Sequence, residues 1–96
     1  MSPLKRKKLN KIRSELDKLD NSLINLIKKR TNLVNQVLKL KDKKKDIIDN
    51  KRIKIILRNI RKKSIVKKID PKITNRIWKN MIWSYIDYEK RNFKKK

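Results

Sequence analysis

A chain of 96 residues carries 32 Lys or Arg against nine Asp or Glu, a formal balance of +23, and contains no His, Cys, Gly or Ala. Without imidazole or thiolate there is no ordinary zinc site, thiol nucleophile or histidine base, and without Gly there is no phosphate-cradling loop or dinucleotide fingerprint. Metal-dependent, nucleotide-binding and triad enzymes are therefore not expected, and a chain this short reads as one domain whose modest core favours oligomerisation. From Leu9 onward the apolar residues fall on one seam: Leu9, Ile12, Leu16, Leu19, Leu23, Leu26, then Arg30, then Leu33, Val37 and Leu40, spaced 3,4,3,4 throughout. This spacing predicts one heptad-patterned helix over about residues 4–41. At 1.5 Å per residue that helix runs about 57 Å, whereas a compact chain of this size has a radius of gyration of about 12 to 13 Å, so the seam calls for a second chain.

Residues 42–48, DKKKDII, break the period and read as a loop. Asp49 suits an N-cap, and Ile53, Ile56, Leu57 and Ile60 give a second amphipathic helix over about 50–63. Asp70 followed by Pro71 is a helix-start signal, and Ile73, Ile77, Trp78, Met81, Ile82, Tyr85 and Ile86 carry a third helix over about 71–93. The tail FKKK reads as frayed. A parallel coiled coil would satisfy the seam alone. The two further amphipathic helices also require a surface, so the expected architecture is an all-α, intertwined homodimer with three helices per chain. The basic N-terminus has no apolar h-region and no apolar run approaches the roughly 20 residues that span a bilayer, which predicts a soluble, unexported, cytoplasmic protein.

The charge has a compositional explanation that precedes any functional one. Lys, Ile and Asn make up 49 of the 96 residues while Ala and Gly are absent, which is the pattern of an A/T-rich coding sequence. The positive charge is also spread, at +9 over residues 1–49 and +14 over 50–96. A basic helical module that binds nucleic acid through its phosphates is the third reading, behind two enzymatic ones, and nucleic acid is not the expected partner.

Arg30 stands in the seam between Leu26 and Leu33, where an unpaired guanidinium is costly to desolvate. It requires an anion, either an internal acid or a bound ligand, and nine acids serve 32 cations. Lys41 lies eleven residues on, about 20° from Arg30 around a helix axis and about 16 Å along it, so two long side chains converging from either end can grip a small dianion. Arg13, seventeen residues or about 25 Å before Arg30, reaches such a pocket only from an antiparallel partner chain. Two composite pockets per dimer follow. Trp78, Trp83, Tyr85 and Tyr88 read as core and rim aromatics.

The segments LNKIRSELDKLD (9–20), NSLINLIKKRTNLVNQVLKLK (21–41), DNKR (49–52) and DPKITNRIWKNMIWSYIDYE (70–89) resemble the all-helical chorismate mutases, the AroQ class, over about nine-tenths of the chain. The resemblance implies a dimer that converts chorismate to prephenate without a cofactor or metal. In that family the residues matching Arg30 and Lys41 hold a carboxylate and the ether bridge, and the one matching Arg13 reaches in from the other subunit. Those matching Asp49 and Arg52 sit near the substrate's hydroxyl and carboxylate end, and a Gln or Glu matching Glu89 meets the ether oxygen. As a neutral acid Glu89 would donate to that oxygen, whereas a carboxylate would repel the charge growing there. The chain departs from the family pattern at Ile53, where many members have Glu, and at Tyr85, where many have a small hydroxyl residue. Both departures resemble the isochorismate pyruvate-lyase branch of the same fold, which is the alternative activity. The missing residue types suit either reaction, because positioning and charge are sufficient for chemistry that needs no nucleophile.

Overall fold

The computed structural model describes residues 1–94. It is helical throughout, with α1 (Pro3–Leu40), a single 3-10 turn (Lys44–Ile47), α2 (Asn50–Val66) and α3 (Pro71–Asn92), and no strand among the described residues. None of these helices is long and apolar enough to cross a membrane.

Local chemistry explains where each helix begins. Before α1 the Ser2 hydroxyl accepts from the Lys5 amide at 3.2 Å and Pro3 takes the first helical position, where its missing N–H costs nothing. Asp49 caps α2 by accepting from the Arg52 amide at 3.0 Å. Asp70 accepts from the Lys72 amide at 2.9 Å ahead of Pro71, which opens α3.

The end of α2 differs from expectation, running one turn past Lys63 to Val66. It stops in a pair of bonds: the Ile69 amide donates to the Ser64 carbonyl at 2.9 Å and the Lys68 amide to the Ile65 carbonyl at 3.1 Å. Lys68 sits at φ 57 to make this possible, a left-handed conformation normally given to Gly. A chain without Gly carries no such stop signal, so the periodic apolar residues set the expected boundary too early.

The chain forms two compact units, Met1–Leu33 and Val34–Lys96. The first is the N-terminal part of α1, and its seam is exposed from Ile12 to Leu26, with Leu19 at 62 %; Leu9 and Arg30 are half-buried. The second unit holds the core. Ile47, Ile82 and Ile86 are its buried centre, and Leu38, Ile48, Ile53, Ile56, Leu57 and Phe93 pack around them. Ile47, inside the segment expected to be a loop, is the most deeply buried of the three at 3 %. The 3-10 turn that delivers it closes on itself, with the Lys43 amide donating to Asp46 at 3.2 Å and the Asp46 amide to the Lys43 carbonyl at 3.0 Å. One turn is too short to show a period. Ser64, also buried, fastens α2 to α3 through the Thr74 hydroxyl at 2.7 Å while donating to its own helix at the Ile60 carbonyl.

Two further expectations change. Phe93, the first residue of the tail expected to fray, is half-buried against the core, while Lys95 and Lys96 lie outside the described residues. Ile73, Ile77 and Trp83 in α3 are exposed, so the buried stripe of that helix is narrower than its apolar pattern.

Candidate active site

Within the second unit α3 carries a buried stripe that reads Ile82, Ile86, Glu89, spaced four and three along one helix face. The last of these is a carboxylic acid at 6 % exposure. Burying an acid among isoleucines is costly unless a cation meets it. Lys41 does so. It is the first residue beyond α1, its amide turned back onto the Leu38 carbonyl at 3.1 Å, and its side chain runs inward to place Nζ 3.3 Å from Glu89 Oε1 and 3.4 Å from the Ile47 carbonyl. Both bonds are longer than the roughly 2.7 to 2.9 Å of a tight ammonium–carboxylate contact. The ammonium is thus shared between two acceptors and fully committed to neither.

Such a pair is a weak source of stability, because the cost of desolvating both ions roughly offsets their attraction. A buried acid–base pair with loose geometry in a small helical unit is instead a functional-site candidate. A second ion pair, Arg91 with Asp87 at 2.9 Å one turn apart, is exposed on the surface of α3 and contributes little.

The remaining residues singled out from the sequence fall as follows. Asp49 and Arg52 are exposed, and the bond between them is the helix cap, carboxylate to backbone amide. Ile53 is half-buried and packs against the Ile47, Ile82 and Ile86 cluster, which gives it a core role. Tyr85 is half-buried, its ring set edge-on to Tyr88 at 6.3 Å and 88°. In the first unit, Arg30 is half-buried and Arg13 is exposed beside Arg6, Leu9 and Asn10 in a shallow recess. The structure therefore brings Lys41 and Glu89 together, separates Ile53 into the core, and keeps Asp49 and Arg52 at the start of α2. No cluster of three or more potential metal ligands occurs among the described residues.

One contact beside this pair had no signal in the sequence. The Tyr88 hydroxyl donates to Asn35 Oδ1 at 2.8 Å, joining α3 to α1 across 53 residues. Neither residue belongs to a periodic pattern that marks it, and only the folded chain shows that the two meet.

The family model for chorismate mutase type II matches residues 12–90, about four-fifths of the chain. The matched stretch spans most of α1 and nearly all of α3, including Lys41 and Glu89. Comparison with curated proteins gives no significant match, nor does comparison with solved structures. The extent of the family match, on an all-helical chain with no strand among its described residues, carries the assignment: the chain belongs to the chorismate mutase type II family and is an enzyme of the isomerase class.

Proposed function

We propose that this protein rearranges chorismate to prephenate, in the biosynthesis of phenylalanine and tyrosine, as a cofactor-free cytoplasmic homodimer. The observation that carries this reading is the buried Lys41–Glu89 pair inside a domain matched to the mutase family. The reaction breaks the ether C–O bond as a new C–C bond forms, moves electrons around a single ring of atoms, and leaves no proton or electron to be supplied. An enzyme for it must hold an extended dianion in its compact conformer and meet the negative charge that grows on the ether oxygen.

The groups available suit that task. Lys41 presents an ammonium to the ether bridge and one carboxylate, and Arg30, facing the same side of α1 by helical spacing, holds the other end of the dianion. Glu89 meets the ether oxygen beside Lys41. Arg52 and Asp49 bind near the substrate's hydroxyl end, and Ile53 and Tyr85 wall that end with apolar and aromatic surface. Arg13 comes from the second subunit, a role supported by its spacing from Arg30. The exposed apolar seam of α1 supports a second copy as its cover, because a contiguous stripe of leucines is not left to water in a stable monomer.

Isochorismate pyruvate-lyase activity is the second reading. It is favoured by Ile53, which packs into the core and offers no acid to a substrate hydroxyl, and by the aromatic ring of Tyr85. Offering purified protein chorismate and isochorismate separately, and following prephenate against pyruvate plus salicylate, decides between them. Prephenate from chorismate is the expected outcome. Salicylate and pyruvate from isochorismate, with no prephenate, would replace the first reading by the second, and salt-sensitive nucleic-acid binding with neither turnover would replace both.

A further inference from the structure

We propose that Tyr88 and Asn35 are positioning residues that set the separation of Lys41 from Glu89. The proposal rests on the reading of Lys41 and Glu89 as the reacting pair, and it concerns how two elements far apart in the chain hold them in register.

Lys41 and Glu89 each depend on a neighbour for their placement. Lys41 lies just outside α1, so no helical hydrogen bond beyond its amide bond to Leu38 fixes its backbone. Its position follows from where the last turns of α1 are anchored. Two side chains in those turns reach inward on one face: Leu38, packed on the Ile47, Ile82 and Ile86 cluster, and Asn35, bonded to Tyr88. Leu38 gives a non-directional contact that tolerates sliding. The bond from Tyr88 is directional, at 2.8 Å between hydroxyl and amide oxygen, and defines a single register of α1 against α3.

Tyr88 is itself held. It precedes Glu89 on α3, its ring meets the edge of Tyr85 one turn earlier, and its carbonyl accepts from Asn92 Nδ2 at 2.8 Å. The ring is thus held beside Tyr85, and its hydroxyl is the donor to Asn35. Releasing the bond frees α1's end to shift relative to Glu89. Because the Nζ to Oε1 contact is already 3.3 Å, a shift of about 1 Å separates the pair beyond hydrogen-bond reach.

Two variants test this with complementary readouts. Tyr88→Phe keeps the ring and its contact with Tyr85 and removes only the hydroxyl; Asn35→Ala removes the acceptor. The Lys41 ammonium, half-buried between two acceptors, should exchange its protons more slowly than an exposed lysine, and nitrogen-detected NMR of that group reads its confinement without substrate. Either variant should speed this exchange several-fold, and the double variant should do no more than either alone, the mark of one shared interaction. On chorismate, kcat should fall about tenfold with KM changed by less than about twofold, since misplacement of reacting groups costs turnover more than binding. Asn35→Asp, which retains an acceptor for the phenol, should restore most of both signals.

Ser64→Ala is the control, deleting another half-enclosed hydroxyl bond in the same unit that does not touch α1. It should leave the Lys41 exchange rate and the kcat to KM split alone. Wild-type exchange rates in Tyr88→Phe and Asn35→Ala would overturn the proposal, as would a Ser64→Ala variant that reproduces their effects. If the wild-type chain gives no prephenate, the reading of its function fails while the exchange measurement still decides whether this contact positions the pair.

Discussion

In the proposed reaction Glu89 is asked to satisfy two neighbours of opposite character. Lys41 wants an acceptor at 3.3 Å, while an ether oxygen that gains negative charge wants a donor. A carboxylate serves only the first, and the neutral acid serves both, accepting on its carbonyl oxygen and donating from its hydroxyl. Replacing the side chain by a permanent donor therefore tests which of the two neighbours it serves. Glu89→Gln offers both functions permanently in a side chain of nearly the same shape, with the amide oxygen toward Lys41 and the amide N–H toward the ether. It should keep at least wild-type turnover of chorismate, whereas Glu89→Ala, which offers neither function, should lower kcat by about a hundredfold. Equal kcat in the wild type and Glu89→Ala, measured with chorismate at saturation, would remove Glu89 from contact with the ether and leave it as a buried partner of Lys41.

At the scale of the elements, the starts of α2 and α3 and the ends of α1 and α3 were legible, and the end of α2 was not. Asp49 and the Asp70-Pro71 pair are signals because a short acceptor and a fixed φ solve a local problem that the backbone poses at any helix start. The end of α2 poses the opposite problem, a left-handed residue, and the chain meets it with Lys68 for want of Gly. Ile47 escaped notice for a similar reason, since a four-residue turn cannot repeat a pattern. The meeting of Lys41 with Glu89 had no signal in the sequence itself, because nothing in the spacing of two residues 48 apart says that they come together. Lys68 gives the stability prediction at this scale. A β-carbon at φ 57 crowds the neighbouring carbonyl, so Lys68→Gly should stabilise the fold by about 1 kcal/mol despite the added freedom of its unfolded chain. Urea titration at fixed protein concentration should show a higher midpoint with an unchanged slope. A lower midpoint would mean that the Lys68 side chain contributes more than its backbone costs.

For the molecule as a whole, the seam and the site lead to the same test. The leucines from Leu16 to Leu26 and Leu33 are exposed in the single chain, and a stripe this regular is a helix-packing surface. If a second copy covers it in an antiparallel, two-fold arrangement, each site takes Arg30, Lys41 and Glu89 from one chain and Arg13 from the other. Arg13→Ala and Arg30→Ala should then each abolish most turnover, since each empties the same position in both sites of its own homodimer. Mixed and reassociated, the two variants should regain activity. In a heterodimer the chain with Ala at position 13 still offers Arg30, and its partner still offers Arg13, so one site is whole while the other lacks both arginines. Random assortment makes about half the dimers mixed with one working site in two, so recovery should approach about a quarter of wild-type activity per chain. The same mixture should show it only after subunit exchange, with a lag that shortens under mild denaturant. Heterodimers purified through two different tags and still inactive would show that Arg13 acts within its own chain or not at all, and a chain that sediments as a monomer while turning over chorismate would remove the shared site altogether.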